Sequence, residues 1–125
     1  MNPSTAALLK SISDPRIADF VSLWDELEHL TISIYRAKHV APGEAARFPE
    51  LVAAIRQKIA PLQRPLRPHW QATRVKGNLL EEDPFEFLLR LPKAEAILDN
   101  WTAMQLLPAA REALNLYLLA LIERN

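Results

Sequence analysis

Cysteine is missing from this chain altogether. With no thiol there can be no disulfide, no thiolate nucleophile, no iron–sulfur cluster and no Cys-ligated zinc. Glycine is nearly missing too: Gly43 and Gly77 are the only two in 125 residues. Two glycines cannot build a phosphate-cradling loop or a Gly-x-Ser-x-Gly nucleophile elbow, so the familiar nucleotide and hydrolase sites are excluded. Neither sign of charge is in excess, with 15 basic against 15 acidic residues. Such a chain has no global field to draw it to nucleic acid or to an anionic membrane, and any such binding needs a local patch. The longest apolar run, Leu116 to Ile122, is seven residues, against the ~18–20 that a membrane span requires. Residues Met1 to Thr5 lack the basic and apolar regions of a signal peptide. These absences lead us to expect a soluble cytoplasmic protein with no membrane partner, no cofactor and no metal.

What is abundant is proline, with ten residues. Five stand where a helix would begin, in Asp14-Pro15, Phe48-Pro49-Glu50, Asp83-Pro84-Phe85-Glu86, Leu91-Pro92 and Leu107-Pro108. Proline suits the first helical position because its missing N–H would have no partner there. Asp14 and Asp83 add side-chain caps, and Glu86 stands at capping-box spacing from Asp83. No stretch alternates as a strand does between turn signals. With half of its residues hydrophobic, the chain has material for one core. The expected fold class is all-α: a small irregular bundle of five or six proline-initiated helices. It is read as a single domain, 1–125, with 1–13 a loosely ordered N-terminal arm.

The first long helix is expected from Pro15 to about His39, closed by Ala41-Pro42-Gly43. Its apolar arc is wide enough for two neighbours. A second should start at Pro49 and carry the stripe Leu51, Ile55, Ile59, Leu62 and Leu66. Within 61–68, three prolines leave kinked helix and extended chain equally open. A short helical segment around Trp70 to Val75 should stop at Gly77. Three more follow: Pro84–Arg90, then Pro92 to about Gln105, whose face is Ala94, Ile97, Leu98, Trp101 and Met104, then Pro108 to the end. The last is apolar nearly all round, so it is either central to the core or covered by a partner.

Three constellations stand out as candidate sites. Glu28 falls inside the apolar arc of the first long helix, where a carboxylate needs a partner. Arg111 or Arg56 could pair with it, and with Trp24 and Tyr35 it could instead line a ligand pocket. Arg111, Asn115, Leu118 and Ile122 follow seam spacing on the last helix, as polar residues that fix register in an interface do. Between Leu51 and Leu80 every charge is basic, and Arg64, Arg67, Arg74 and Lys76 surround Trp70. Such a patch could grip phosphates while Trp70 stacks on a base; alternatively it pairs with the acids at 81–86 or docks an acidic partner. Weaker signals are Glu26-x-x-His29, a di-iron spacing that occurs only once and lies on the polar face, and His29, His39 and His69, none of which has a second histidine a helical turn away.

No catalytic constellation emerges. The expected function is a non-catalytic helical interaction module that self-associates as a homo-oligomer or joins another protein through the last helix. A nucleic-acid-binding subunit using the 56–76 stretch and a ligand-binding or enzymatic bundle centred on Glu28 are the alternatives.

Overall fold

The computed structural model describes residues 5–12, 14–75, 78–79 and 82–124. The elements run α1 (Thr5–Lys10), α2 (Pro15–Ala37), α3 (Pro42–Gln71), β1 (Arg74–Val75), β2 (Asn78–Leu79), α4 (Pro84–Leu89), a 3₁₀ turn (Ala94–Ile97) and α5 (Trp101–Arg124). This is a small all-α bundle, as the helical spacing requires. The two-residue strands form one antiparallel ladder, Arg74 opposite Leu79 and Val75 opposite Asn78. The ladder occupies part of the stretch where a helical segment was expected.

Local signals explain the helix ends. Asp14 caps α2, its carboxylate accepting the Arg16 N–H at 2.9 Å. The same helix ends at Lys38, the one non-glycine residue with positive φ (56°) among those described. That left-handed turn is held by the Lys38 side chain: Nζ donates to the Leu98 carbonyl at 3.1 Å and lies 3.7 Å from the Tyr35 ring centre. Asp83 caps α4 by accepting from the Phe85 N–H at 2.9 Å. Glu86 does not close the box; its carboxylate accepts instead from the Gln63 amide at 3.5 Å.

Proline punctuation misleads at three places. The first is Pro92, where the expected helix to Gln105 is only the 3₁₀ turn Ala94–Ile97, with the rest falling outside it or in α5. α3 starts at Pro42, seven residues before the expected Pro49, because Glu44 reaches back to accept the Ala41 N–H at 2.9 Å. It then continues through Pro49, Pro61, Pro65 and Pro68, so residues 61–68 are helical, and Trp70 belongs to its last turn. α5 likewise starts at Trp101 instead of Pro108, capped by Asn100, whose side-chain oxygen accepts the Ala103 N–H at 3.0 Å. All five of these interior prolines are solvent-exposed. A proline costs a helix one hydrogen bond. On the wet side, water satisfies the freed carbonyl, and the helix can bend convex toward solvent.

The core is built on aromatic and aliphatic side chains. Phe20 and Trp24 of α2, Phe48 of α3 and Phe85 of α4 are sealed from solvent together with Leu27, Ile34, Leu51, Ile55, Leu66 and Leu88. Trp24 and Phe85 meet with ring centroids 4.9 Å apart. The α3 stripe extends at both ends to Phe48 and Trp70. α5 is central: Ala103, Leu107, Ala110, Ala113, Leu114 and Leu118 are buried, and it packs against α3, α4 and α1. α2 packs on α3 and on the 3₁₀ turn. The N-terminal arm is corrected in part, since residues 5–10 form a helix that docks on α5 and buries Leu8. Among the described residues no helix is long and apolar enough to cross a membrane.

Candidate functional site

The most polar part of the interior lies between α2 and α5. Arg111, one turn beyond Pro108, has a side chain only 20% exposed. A guanidinium there needs acceptors along its whole fork. Its Nη2 pairs with both Asp25 and Glu28 of α2, its Nε donates to Glu28 at 3.0 Å, and its Nη1 donates to the Thr5 hydroxyl at 3.1 Å. Burial alone would weaken the cation, but the Glu28 and Asp25 carboxylates outweigh it and hold the guanidinium above its ordinary basicity. The Thr5 hydroxyl in turn donates to the Asn115 side-chain oxygen at 2.6 Å. Three helices are thus clasped by one cation and one amide.

Beside this clasp runs a groove of about 500 Å³. Ile32, Met104, Leu107 and Pro108 supply its apolar lining, and Glu28, Arg111, Glu112 and Asn115 its polar one. Two carboxylates share Arg111, so with Glu112 the groove carries more negative than positive charge. Trp101, 49% exposed, stands one turn before Met104 on α5.

Two candidate sites therefore merge, because Glu28, Arg111 and Asn115 meet in one place, with Arg111 rather than Arg56 as the partner of Glu28. Arg56 instead donates to the Leu89 carbonyl at the end of α4. The rest of each constellation falls elsewhere. Trp24 is sealed in the core, and Tyr35 lies under Lys38; neither borders the groove. Leu118 is fully buried and Ile122 packs partly buried against the core, so of the four seam residues only Arg111 and Asn115 border the groove.

The basic patch is also corrected. Trp70 is only 7% exposed and cannot offer its indole to a base. Its hydroxyl-bearing neighbour Thr73 closes the helix end by donating to the Trp70 carbonyl at 2.8 Å. Arg64 and Arg67 are exposed and make no ion pair among the described residues. Lys58 pairs with Asp19 at 3.9 Å and Glu82 with Arg90, so among the described residues the acids at 82–86 form no ion pair with Arg64 or Arg67. Lys76 and the Arg74 side chain lie outside the described residues. In the Glu-x-x-His element, Glu26 is bound by Arg47, whose Nη2 donates at 2.9 Å. Among the described residues no three His, Asp or Glu side chains gather as metal ligands would.

The groove's apolar floor and Trp101 were missed from the sequence. Their signal was Asn100 as a helix cap, which moves the start of α5 and turns Trp101 outward.

No protein-family model matches the sequence, and comparison with curated proteins and with solved structures gives no significant match.

Proposed function

We propose that the chain is a non-catalytic protein-interaction module that receives a basic, apolar-anchored segment of another protein in the groove between α2 and α5. The observation that carries this reading is the pairing of an apolar floor (Ile32, Met104, Leu107, Pro108) with a net-negative rim in one open groove. Such a groove suits a helix that lays apolar anchors inside and places lysine or arginine at the edge. Along α5 from Met104 to Asn115 it offers roughly 16 Å of contact, enough for about three turns of partner helix. Trp101, exposed one turn before the groove's first α5 residue, is of the residue type that most often anchors interfaces. Glu28 is already held by Arg111, which argues against a free catalytic carboxylate.

A synthetic amphipathic Leu/Lys peptide, titrated with tryptophan fluorescence as readout, tests the proposal against a Leu/Glu peptide of the same pattern. The basic peptide should bind at least about tenfold more tightly, because like charge across an interface is repelled. Met104→Glu should abolish that binding. Equal affinity for both peptides, or binding indifferent to Met104→Glu, would overturn the reading. Light scattering should give a monomer; a stable dimer with the groove buried would assign the groove to a second copy instead.

One observation favours a second reading. Arg64 and Arg67 are exposed and unpaired among the described residues, which suits a sequence-independent contact with phosphates. It predicts nucleic-acid binding that weakens steeply with salt and is lost in the double variant Arg64→Glu/Arg67→Glu.

A further inference from the structure

A second cavity lies away from the groove, where the start of α2, the middle of α3 and the last turns of α5 converge. It is a cleft of about 360 Å³, within the size range of small-molecule sites. Ile17, Pro61 and Leu62 give it an apolar wall. Around that wall stand Arg16, Gln57, Lys58 and Tyr117, all hydrogen-bond donors, with Asp14 the one carboxylate.

The donors are poorly satisfied and the acceptor is not. Arg16 engages both oxygens of Asp14, through Nε at 3.3 Å and Nη2 at 3.2 Å. Among the described residues Lys58 has only a loose partner, Asp19 at 3.9 Å, and its side chain is 42% exposed. Tyr117 is the telling group. It is 9% exposed and packs against the His69 ring at 5.9 Å, yet its hydroxyl makes no hydrogen bond among the described residues. Burial, reinforced by the Asp14 carboxylate, holds its ionisation above the ordinary phenol value, so the group remains an O–H donor. The ring is nearly buried while the hydroxyl oxygen opens into the cleft, where a ligand acceptor can take its hydrogen bond in place of water.

We propose that this cleft binds a small amphipathic carboxylate, its apolar body on Ile17, Pro61 and Leu62 and its carboxylate accepting from Tyr117, Lys58 and Gln57. A cationic ligand would meet two cations and a carboxylate already engaged. A bare inorganic anion would leave the apolar wall uncovered. The assignment is independent of the groove between α2 and α5, which has a different lining and the opposite charge preference.

Titration of the isotope-labelled protein with phenylacetate, followed by amide chemical shifts, tests it. Saturable shifts at Ile17, Lys58 and Leu62 are expected. The neutral isostere 2-phenylethanol should bind at least about tenfold more weakly, since charge-assisted hydrogen bonds are the strong ones. Inorganic phosphate should give no saturable shifts. Tyr117→Phe keeps the ring against His69 and should weaken phenylacetate about threefold to tenfold, the loss of one hydrogen bond. Lys58→Ala, at an exposed position, should weaken it as well without altering thermal stability. The proposal is overturned if the alcohol binds as tightly as the acid, or if Tyr117→Phe binds unchanged. It also fails if inorganic phosphate binds as well as phenylacetate, marking charge attraction alone. Shifts that map to Met104 and Arg111, or no saturation at millimolar phenylacetate, overturn it too.

Discussion

The two sides of α2 are held by opposite kinds of physics. On one side Phe20 and Trp24 meet Phe85 and Leu27 is buried, a dry contact in which Trp24 is fully sealed. That side even leaves the Trp24 indole N–H without a hydrogen-bond partner among the described residues. On the other side Asp25 and Glu28 are drawn onto Arg111, which also holds Thr5. Apolar burial is non-directional and grows with area, so the dry side can outweigh an orphaned N–H. An ion pair gains only when its geometry and its remaining hydrogen bonds are met, so the charged side specifies where α1 and α5 sit more than it adds stability.

Mutations should separate the two. The largest loss is expected for Trp24→Ala, about 3–5 kcal/mol in a denaturant titration, as for other large-to-small changes in a packed core. Trp24→Phe removes the orphaned N–H with part of the ring and should cost clearly less. Equal losses would mean that ring area is not what the dry side supplies.

Next comes Arg111→Met, at about 2–3 kcal/mol, because it leaves the Glu28 carboxylate half-buried without its cation. Adding Glu28→Leu should recover a substantial part of that loss. A double variant no better than the single would show that the clasp stabilises by attraction and not by avoiding an unpaired charge.

Smaller again, Thr5→Ala and Asn115→Ala should each cost about 1 kcal/mol, the value of one hydrogen bond. Their combined loss should fall short of the sum, since they share one bond. Faster amide exchange at Leu8 and Leu9 in either variant would localise the loss to α1.

The smallest effect concerns pH and lies outside both sides. Burial, helped by the nearby Arg124 cation, depresses the basicity of His69 below its ordinary value of 6.5. The unfolded chain therefore takes up the proton first, and stability falls as pH drops from about 6.5 toward the depressed folded value, levelling off below it. His69→Gln should flatten that part of the melting-temperature profile. Arg111 stays charged across this range, so the clasp should not loosen there from its cationic side.

Much of this architecture could be read from residue spacing, and the failures have identifiable causes. The stripe Leu51, Ile55, Ile59, Leu66 was visible because a helix repeats its face every 3.6 residues. The partner of Glu28 was narrowed to Arg111 or Arg56 because a carboxylate in an apolar arc demands a cation. Pro49 and Pro108 misled because proline reads as a helix start, although an exposed proline is also tolerated inside one. Trp70 looked like an exposed platform among arginines. Its position four residues after Leu66, continuing the buried stripe, was the signal that it belongs to the core. Seam spacing on α5 marked a line with polar breaks, along which Leu118 is buried and Arg111, Asn115 and Ile122 are partly buried. Its polar members meet the chain's own α1 and α2, Asn115 through Thr5 and Arg111 through Asp25 and Glu28, and nothing in local spacing distinguishes a neighbour within the chain from a second molecule.

The sequence by itself determined that the fold is helical, which faces are apolar, and where Asp14 and Asp83 cap their helices. These depend on period, propensity and contacts within a few residues. Tertiary structure alone decided that Arg111 meets Asp25, Glu28 and Thr5, and that a groove opens beside them. It also decided that Tyr117 reaches a cleft with its hydroxyl unbonded to any described residue. Those outcomes join residues up to 106 positions apart. They depend on how helices cross, which packing of the whole core sets and no local pattern encodes.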